Sequence, residues 1–410
     1  MPDIIFDYWL VMILWFLFAK IDRLLNDIIN KIPMLDLLIF IAFLAAIAIV
    51  VYVDRKKIEF QGIIIMRRTK RGLNFLNASA KRLPMFWNGF SKVAIVVGIL
   101  AMIGGFILVA FIDYNIAVGK IKVGGGFVIP YPTAEPVIGV GYVLLPIWLW
   151  ILAIPILMIP HEFSHGVISR LEKIRVKSVG WILLIFIPGA FVEPDEKQLK
   201  KASITKKLKI YSAGSFANFL TAGVLFAIGL LLTSSFYTVA GVTPTGIVPG
   251  SPAEKVNMSG SILFINDFRI TSPDNISIVL DSIQIGSRIV VVTTTGSYNI
   301  TTVKNPDLNK SFIGLEGPYT AYADVKPTYS DWKATFDFSL FLITWLVMLT
   351  FSIGLVNMLP IKPLDGGLVF ETLTGRVIKD TKKNKKLVLA VTLITIALLG
   401  FFIFGGFLVK

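Results

Sequence analysis

The sequence predicts a polytopic α-helical membrane protein of about six to seven transmembrane helices, with a β-rich domain inserted between two of them. Mean hydropathy is +0.76 and only 16% of the residues are charged, well below the roughly 25% of a soluble domain. Several apolar runs reach the roughly 20 residues that a helix needs to cross a bilayer. The apolar pattern breaks once, over 236–333, into short β-branched runs separated by turn residues, which indicates the inserted domain.

The apolar runs give the predicted crossings in chain order. They lie near 35–53, 93–112, 142–168, 208–235, 336–359 and 387–408. A shorter run, 8–19, is either a first span or an interfacial helix. Because it lacks the basic segment that opens a signal peptide, we do not expect it to be cleaved.

The basic residues predict the orientation in the membrane. Of the 40 Lys and Arg residues, 27 lie in three segments: 54–92, 170–209 and 360–386. The connection 113–141 holds only Lys120 and Lys122. Under the positive-inside rule the three basic loops are cytoplasmic and the inserted domain is extracytoplasmic. This pattern explains the net charge of +14, so no nucleic-acid partner is expected. The expected partner is the lipid bilayer of the cell membrane.

Two apolar runs are too short to cross a bilayer. The run 181–191, WILLIFIPGAF, contains Pro188 and Gly189 and lies between basic segments. It is either a re-entrant β-like hairpin, whose backbone groups must find partners inside the protein, or an interfacial loop. The run 60–68, FQGIIIMRR, poses the same question.

The only two histidines of the chain, His161 and His165, lie in the motif HEFSH. On a helix, positions four apart share one face, so both imidazoles can reach one metal ion. Glu162 lies beside that face, where it can accept a proton from an attacking water. A structural histidine pair is the alternative, but polar groups within a membrane are costly and usually functional.

A catalytic zinc ion takes three protein ligands and keeps one open position. The chain has no cysteine and no third histidine, so the third ligand must be a carboxylate. Asp365, in NMLPIKPLDGG, is the best candidate, because its crossing ends at the same membrane face as the HEFSH helix. Glu193 and Glu196 are the alternatives, in which case the protein is a membrane peptidase with a water-filled chamber. A non-catalytic metal transporter or scaffold also remains open.

HEFSH followed far downstream by N-x-x-P and LDGG resembles the site-2 protease family of intramembrane zinc metalloproteases, in particular its animal branch. The resemblance implies one zinc ion on His161, His165 and Asp365, with Glu162 as the general base. It also implies that single-span membrane proteins are cleaved within their transmembrane segments, in regulated intramembrane proteolysis. The sequence GSFAN, 214–218, is similar to the family motif G-P-x-x-N with Ser215 in place of proline. The resemblance gives Asn218 and Asn357 substrate-binding roles.

Residues of about 238–320 resemble a PDZ domain. The order GIVPGSPAEKVNM, GSILFINDFRI, DNISIVLDSI and a final hairpin follows the strands and helices of that fold. PDZ domains bind an extended peptide at a sheet edge, so peptide tails are expected partners; an inert β-rich spacer is the alternative. The predicted division is 1–92, N-terminal membrane segments with a basic loop; 93–235 and 334–410, the two parts of the catalytic core; and 236–333, the PDZ-like domain.

Overall fold

The computed structural model describes residues 34–408 apart from 63, 123, 186 and 307. Within that part of the chain, six helices are long and apolar enough to cross a membrane. They are Met34–Lys57, Pro84–Ala117, Ile147–Leu171, Ile204–Phe236, Pro327–Met358 and Thr381–Phe407. The polytopic helical architecture predicted from hydropathy is therefore confirmed. The run 8–19 lies outside the described residues.

Eleven α-helices are described, and they are numbered here in chain order: α1 Met34–Asp54, α2 Leu73–Arg82, α3 Pro84–Ala117, α4 Ile147–Leu171, α5 Glu196–Lys201, α6 Ile204–Phe236, α7 Pro252–Lys255, α8 Pro273–Ser282, α9 Lys333–Met358, α10 Asp365–Val377 and α11 Thr381–Phe404. All six membrane-length helices begin at a different residue from the predicted crossing, and two of these differences have a clear cause in the sequence. Helix α3 starts at Pro84 rather than 93, because Asn88, Ser91 and Lys92 lower the hydropathy of the segment that follows its first turn. Helix α4 starts at Ile147 rather than 142, because the apolar run before it is a strand.

The chain divides into two compact units. One comprises the described residues up to Leu225 together with those from Trp345 onward, and the other is Phe226–Thr344. The predicted inserted domain, 236–333, lies within the second unit.

The first unit contains a four-stranded antiparallel sheet in the order β1-β2-β6-β7. Its strands are β1 Ile58–Gln61, β2 Ile64–Thr69, β6 Val176–Leu184 and β7 Ile187–Pro194. Both short apolar runs are therefore antiparallel hairpins, which is the β-like alternative for 181–191. Pairing across the sheet satisfies the backbone groups of these apolar segments, and β7 is left at the sheet edge.

A small mixed sheet in the same unit precedes α4. It has the order β3-β5-β4, with β3 Gly126–Tyr131, β4 Val137–Gly139 and β5 Gly141–Pro146. Because β5 is apolar and runs directly into the helix, hydropathy alone does not separate the two elements.

The second unit is built around a five-strand path in the order β13-β12-β10-β8-β17. Its strands are β8 Tyr237–Thr243, β9 Gly246–Ile247, β10 Ile262–Ile265, β11 Phe268–Arg269, β12 Arg288–Thr293, β13 Ser297–Thr301, β14 Val303–Lys304, β15 Ser311–Phe312, β16 Leu315–Glu316 and β17 Thr320–Val325. Ile262, Ile265, Ile289 and Val291 project from β10 and β12 into one core and are no more than 1% exposed. Along β12, buried and more exposed residues alternate, as in a sheet with one covered face.

Candidate metal centre

The two histidines lie on one face of α4. Their Nε2 atoms are 3.2 Å apart, and their ring planes are inclined at 76°. His161 is 6% exposed. Because α4 continues through both positions without a break, the spacing of four residues brings both imidazoles to one point.

Asp365 completes a cluster of three donors. It is the first residue of α10, and its Oδ2 lies 3.5 Å from His161 Nε2 and 3.2 Å from His165 Nε2. Asp365 Oδ2 is buried without a hydrogen-bond partner among the described residues. A buried carboxylate oxygen with no donor is costly, which indicates that a cation belongs there.

The donor set fits zinc. Zinc–nitrogen and zinc–oxygen bonds of about 2.0–2.1 Å place the donors of a tetrahedral site about 3.3 Å apart. The three separations in the cluster are 3.2, 3.2 and 3.5 Å. Two imidazoles and one carboxylate leave the fourth position of a tetrahedron open, as a catalytic site requires.

One face of α6 orients both imidazoles. His165 Nδ1 lies 2.7 Å from the carbonyl oxygen of Ile210, and His161 Nδ1 lies 3.3 Å from the Asn218 side-chain amide. Metal binding at Nε2 requires a proton on Nδ1, which must then be donated. The Ile210 carbonyl accepts that proton directly. In the structure Asn218 Nδ2 faces His161 Nδ1, and Asn218 Oδ1 is buried without a partner. A 180° flip of this amide would place Oδ1 against Nδ1 as the acceptor and satisfy both groups.

Gly214 lies between these two contacts, one helical turn from each. A Cβ atom at this position would stand 2.7 Å from His161 Nε2 and closer still to His165 Nε2. Glycine is therefore required for α6 to approach the metal-binding face of α4. The role of Gly214 was not predicted from the sequence. Its spacing of four residues from Ile210 and from Asn218, which puts all three on one face of α6, is the signal that could have indicated it.

The DGG sequence has a packing reason as well. A Cβ atom on Gly366 would overlap the carbonyl group of Met358, at the end of α9. A Cβ atom on Gly367 would stand 2.5 Å from the backbone of Ile361. The two glycines therefore allow the chain to fold back tightly from α9 into α10, which sets Asp365 at the start of α10.

Glu162 is held by the edge of the four-stranded sheet. Its Oε2 accepts a 2.8 Å hydrogen bond from the backbone nitrogen of Val192 in β7. This contact could not be predicted from residue types, because it joins residues 30 positions apart and depends on the formation of the β6–β7 hairpin.

A cavity of about 460 Å³ opens onto the cluster, within the size range of small-molecule sites. The three cluster residues line it together with Glu162 and with 191–194 of β7. Glu193 and Glu196, the alternative third ligands, also line this cavity. However, Glu193 accepts hydrogen bonds from Ser178 and Arg68, and Glu196 pairs with Lys200. Among the described residues, the group whose donor atoms lie close enough together to hold a metal ion contains Asp365 and neither glutamate.

The described residues that line this cavity do not include Asn218 or Asn357, the two asparagines expected to bind substrate. Asn218 is fully buried beside His161, and Asn357 is half-buried at the end of α9. Their direct roles in substrate binding stay predictions.

Two histidines and an aspartate around an open position, with a glutamate alongside, in a chain of membrane-length helices, define the site of a membrane metallohydrolase. The sequence matches Peptidase family M50 over residues 149–400, more than half of the chain. The protein belongs to this family, the site-2 protease family, and is a multi-pass membrane metalloprotease.

Two relatives extend the comparison. The chain is 29% identical to an uncharacterized protein of Methanocaldococcus jannaschii over 327 residues, which cover 78% of this chain and 80% of the relative. It is 23% identical over 270 residues to a Clostridium perfringens protein whose name designates it a candidate zinc metalloprotease. That match covers 53% of this chain and 79% of the relative.

Proposed function

We propose that the protein is an intramembrane endopeptidase that uses one zinc ion to cut single-span membrane proteins within their transmembrane segments. The observation that carries the proposal is the cluster of His161, His165 and Asp365, which converges at the spacing of tetrahedral zinc ligands. Two of the three ligands lie on α4, a candidate membrane-spanning helix.

His161, His165 and Asp365 would hold the zinc ion, and Glu162 would act beside it. Bound zinc supplies Lewis acidity, which lowers the pKa of a water to about 7 and polarises a carbonyl. Glu162 accepts the proton of the attacking water and later delivers it to the nitrogen of the leaving amine. The Val192 N–H keeps Oε2 of Glu162 oriented during this exchange, and Asn218 keeps the imidazole of His161 in the correct tautomer.

An extended substrate would find a partner in β7. Neighbouring residues of a strand point their backbone groups to opposite sides, and the Val192 N–H points away from β6 toward Glu162. The residues that share this outward side are Pro188, Ala190 and Pro194. The two prolines have no N–H to donate, so pairing along this edge centres on Ala190. We propose that a substrate segment unwinds and adds to this edge beside the metal cluster.

The second unit offers a separate groove for peptide tails. A cavity of about 240 Å³ lies between α8 and the segment 305–315 that contains β15. Ile276, Leu280 and Phe312 give it an apolar lining, as a groove for an extended peptide requires. Lys310 and Asp281, 2.5 Å apart, form an ion pair at its side. We propose that this PDZ-like groove binds substrate tails on the extracytoplasmic side, opposite the basic cytoplasmic loops.

The test of the proposed function is the position of the cut. Purified protein loaded with zinc is incubated in detergent with a single-span model substrate, and mass spectrometry of the products locates the cleaved bond. We expect cleavage within the apolar segment, reduced by about 10²–10⁴-fold in the Glu162→Gln variant. Cleavage confined to the flanking polar sequences would contradict an intramembrane endopeptidase and favour a chamber open to water.

A further inference from the structure

A second cavity, of about 280 Å³, is strongly basic and is separate from the metal centre. It is formed by the end of α2, the end of α4, the connection that follows α4, and α5. Four cationic side chains and two amides line it: Lys81, Arg170, Lys173, Arg175, Asn77 and Gln198. No carboxylate is among the described residues that line it, so the cavity has the charge of an anion site.

Arg170 gives this cavity a guanidinium whose position is fixed. Its Nη2 donates to the carbonyl oxygen of Val176 at 3.0 Å, which fixes the guanidinium. Its Nε is buried without a partner among the described residues. The rest of the guanidinium of Arg170, which is partly exposed, lines the cavity and keeps its positive charge there. Gln198 uses its Oε1 to accept the Arg175 N–H at 2.8 Å, so the remaining group of its amide is a donor.

The neighbouring carboxylates are engaged elsewhere. Glu172 pairs with Lys209 at 2.5 Å and with Lys206 at 3.8 Å. Asp195 accepts backbone N–H groups at the start of α5. In the described part of the chain, Lys81, Lys173 and Arg175 have no carboxylate within ion-pair distance. Their charges are therefore left for a ligand.

The cavity lies at the level where membrane helices end. The candidate span of α4 ends at Leu171, directly after Arg170, and that of α3 begins at Pro84, three residues after Lys81. Leu83, Met85 and Phe86 follow Lys81 in the chain and are 58%, 88% and 53% exposed. A cationic cavity beside exposed apolar side chains matches a ligand that has an anionic head and a hydrocarbon tail.

We propose that this cavity binds the phosphate group of an anionic phospholipid. Arg170 contributes its guanidinium, and Lys81, Lys173 and Arg175 supply the surrounding positive charge. The acyl chains lie along the apolar residues at the start of α3. A free phosphate metabolite has the same head-group chemistry, but it has no acyl chain to pack against those apolar side chains.

The test measures lipid retained by the full-length protein in native mass spectrometry. The detergent-purified protein is incubated with phosphatidylglycerol or with phosphatidylcholine. The double variant Lys173→Ala/Arg175→Ala removes two exposed cations of the cavity. The matched control Lys382→Ala/Lys383→Ala removes two exposed cations at the start of α11, far from it in sequence. Neither pair belongs to the metal centre, and zinc content and gel filtration check that both variants are folded.

We expect the wild-type protein and the control to retain phosphatidylglycerol in preference to phosphatidylcholine. The cavity variant should lose roughly 30-fold in phosphatidylglycerol affinity, as removal of two phosphate-facing cations predicts. Equal losses in both variants would show diffuse surface attraction and overturn the proposal. Inorganic phosphate and glycerol 3-phosphate, added as competitors, should leave the bound lipid in place. Displacement of the lipid by either at equal concentration would overturn the assignment to a lipid.

Discussion

The backbone nitrogen of Val192 donates a 2.8 Å hydrogen bond to Oε2 of Glu162, which links the sheet edge to the residue next to the first histidine. Because Glu162 is held by the sheet edge and lies outside the cluster of three donors, its substitution tests its role separately from metal binding. Replacing it by glutamine removes the proton acceptor but none of the three ligand atoms. We expect cleavage to fall by about 10²–10⁴-fold while the purified variant keeps its zinc, measured by elemental mass spectrometry. The comparison is His161→Ala, which should lose the metal; an equal loss of zinc in Glu162→Gln would make Glu162 a ligand.

A second prediction concerns the third ligand. Asp365→Ala should lower zinc affinity by more than the roughly 10–100-fold of an outer-shell change, and activity should be lost with it. Removing this carboxylate leaves only two imidazoles for the metal. Glu193→Ala is the matched control, because Glu193 lines the same cavity but lies outside the donor cluster.

The measurement is the zinc that each of these two variants retains after competition with a chelator. Retention of zinc by Asp365→Ala together with its loss from Glu193→Ala would transfer the ligand role to the glutamate.

A third prediction uses two glycines of α6. Gly214→Ala places a methyl group against both imidazoles, an overpacking that costs about 1–3 kcal/mol and lowers zinc affinity roughly 5–150-fold. Gly223→Ala is the control, because a Cβ atom there meets nothing within 4 Å. Alanine is the better helix former, so Gly223→Ala should leave zinc affinity unchanged and slightly stabilise the protein. Equal zinc affinities in the two variants would show that α6 does not press on the histidines.

A fourth prediction concerns orientation. Single cysteines in 54–92, 170–209 and 360–386 should be protected from a membrane-impermeant thiol reagent in intact cells, and a cysteine in 240–320 should react. The reason is the concentration of Lys and Arg in the three segments. The chain has no native cysteine, so the background is free of labelling. After lysis all four positions should react, which controls for buried sites. The opposite pattern in intact cells would reverse the proposed orientation.

Hydropathy predicted the six spans because each is a long apolar run, and its errors fall where composition changes inside an element. The early part of α3 after its first turn contains Asn88, Ser91 and Lys92, and β5 is as apolar as the helix that follows it. The three candidate ligands were readable because the chain has only two histidines and no cysteine, which leaves few ways to complete a zinc site.

The contacts that orient the site were not readable from the sequence. The Ile210 carbonyl is a backbone group and carries no sequence signal. The Val192 N–H reaches Glu162 only because a hairpin forms and turns its free edge toward α4. Such contacts depend on tertiary packing, whereas ligand identity depends on residue type.

The distance along the chain between the proposed metal ligands has a consequence for synthesis. Asp365 leaves the ribosome about 200 residues after His165, which at roughly 5–20 residues per second is a delay of about 10–40 s. During that interval the nascent chain carries two imidazoles and the glutamate but lacks the third donor. The proposed site therefore forms only after Asp365 has been synthesised, so a chain that has not reached this residue is not expected to attack its neighbours.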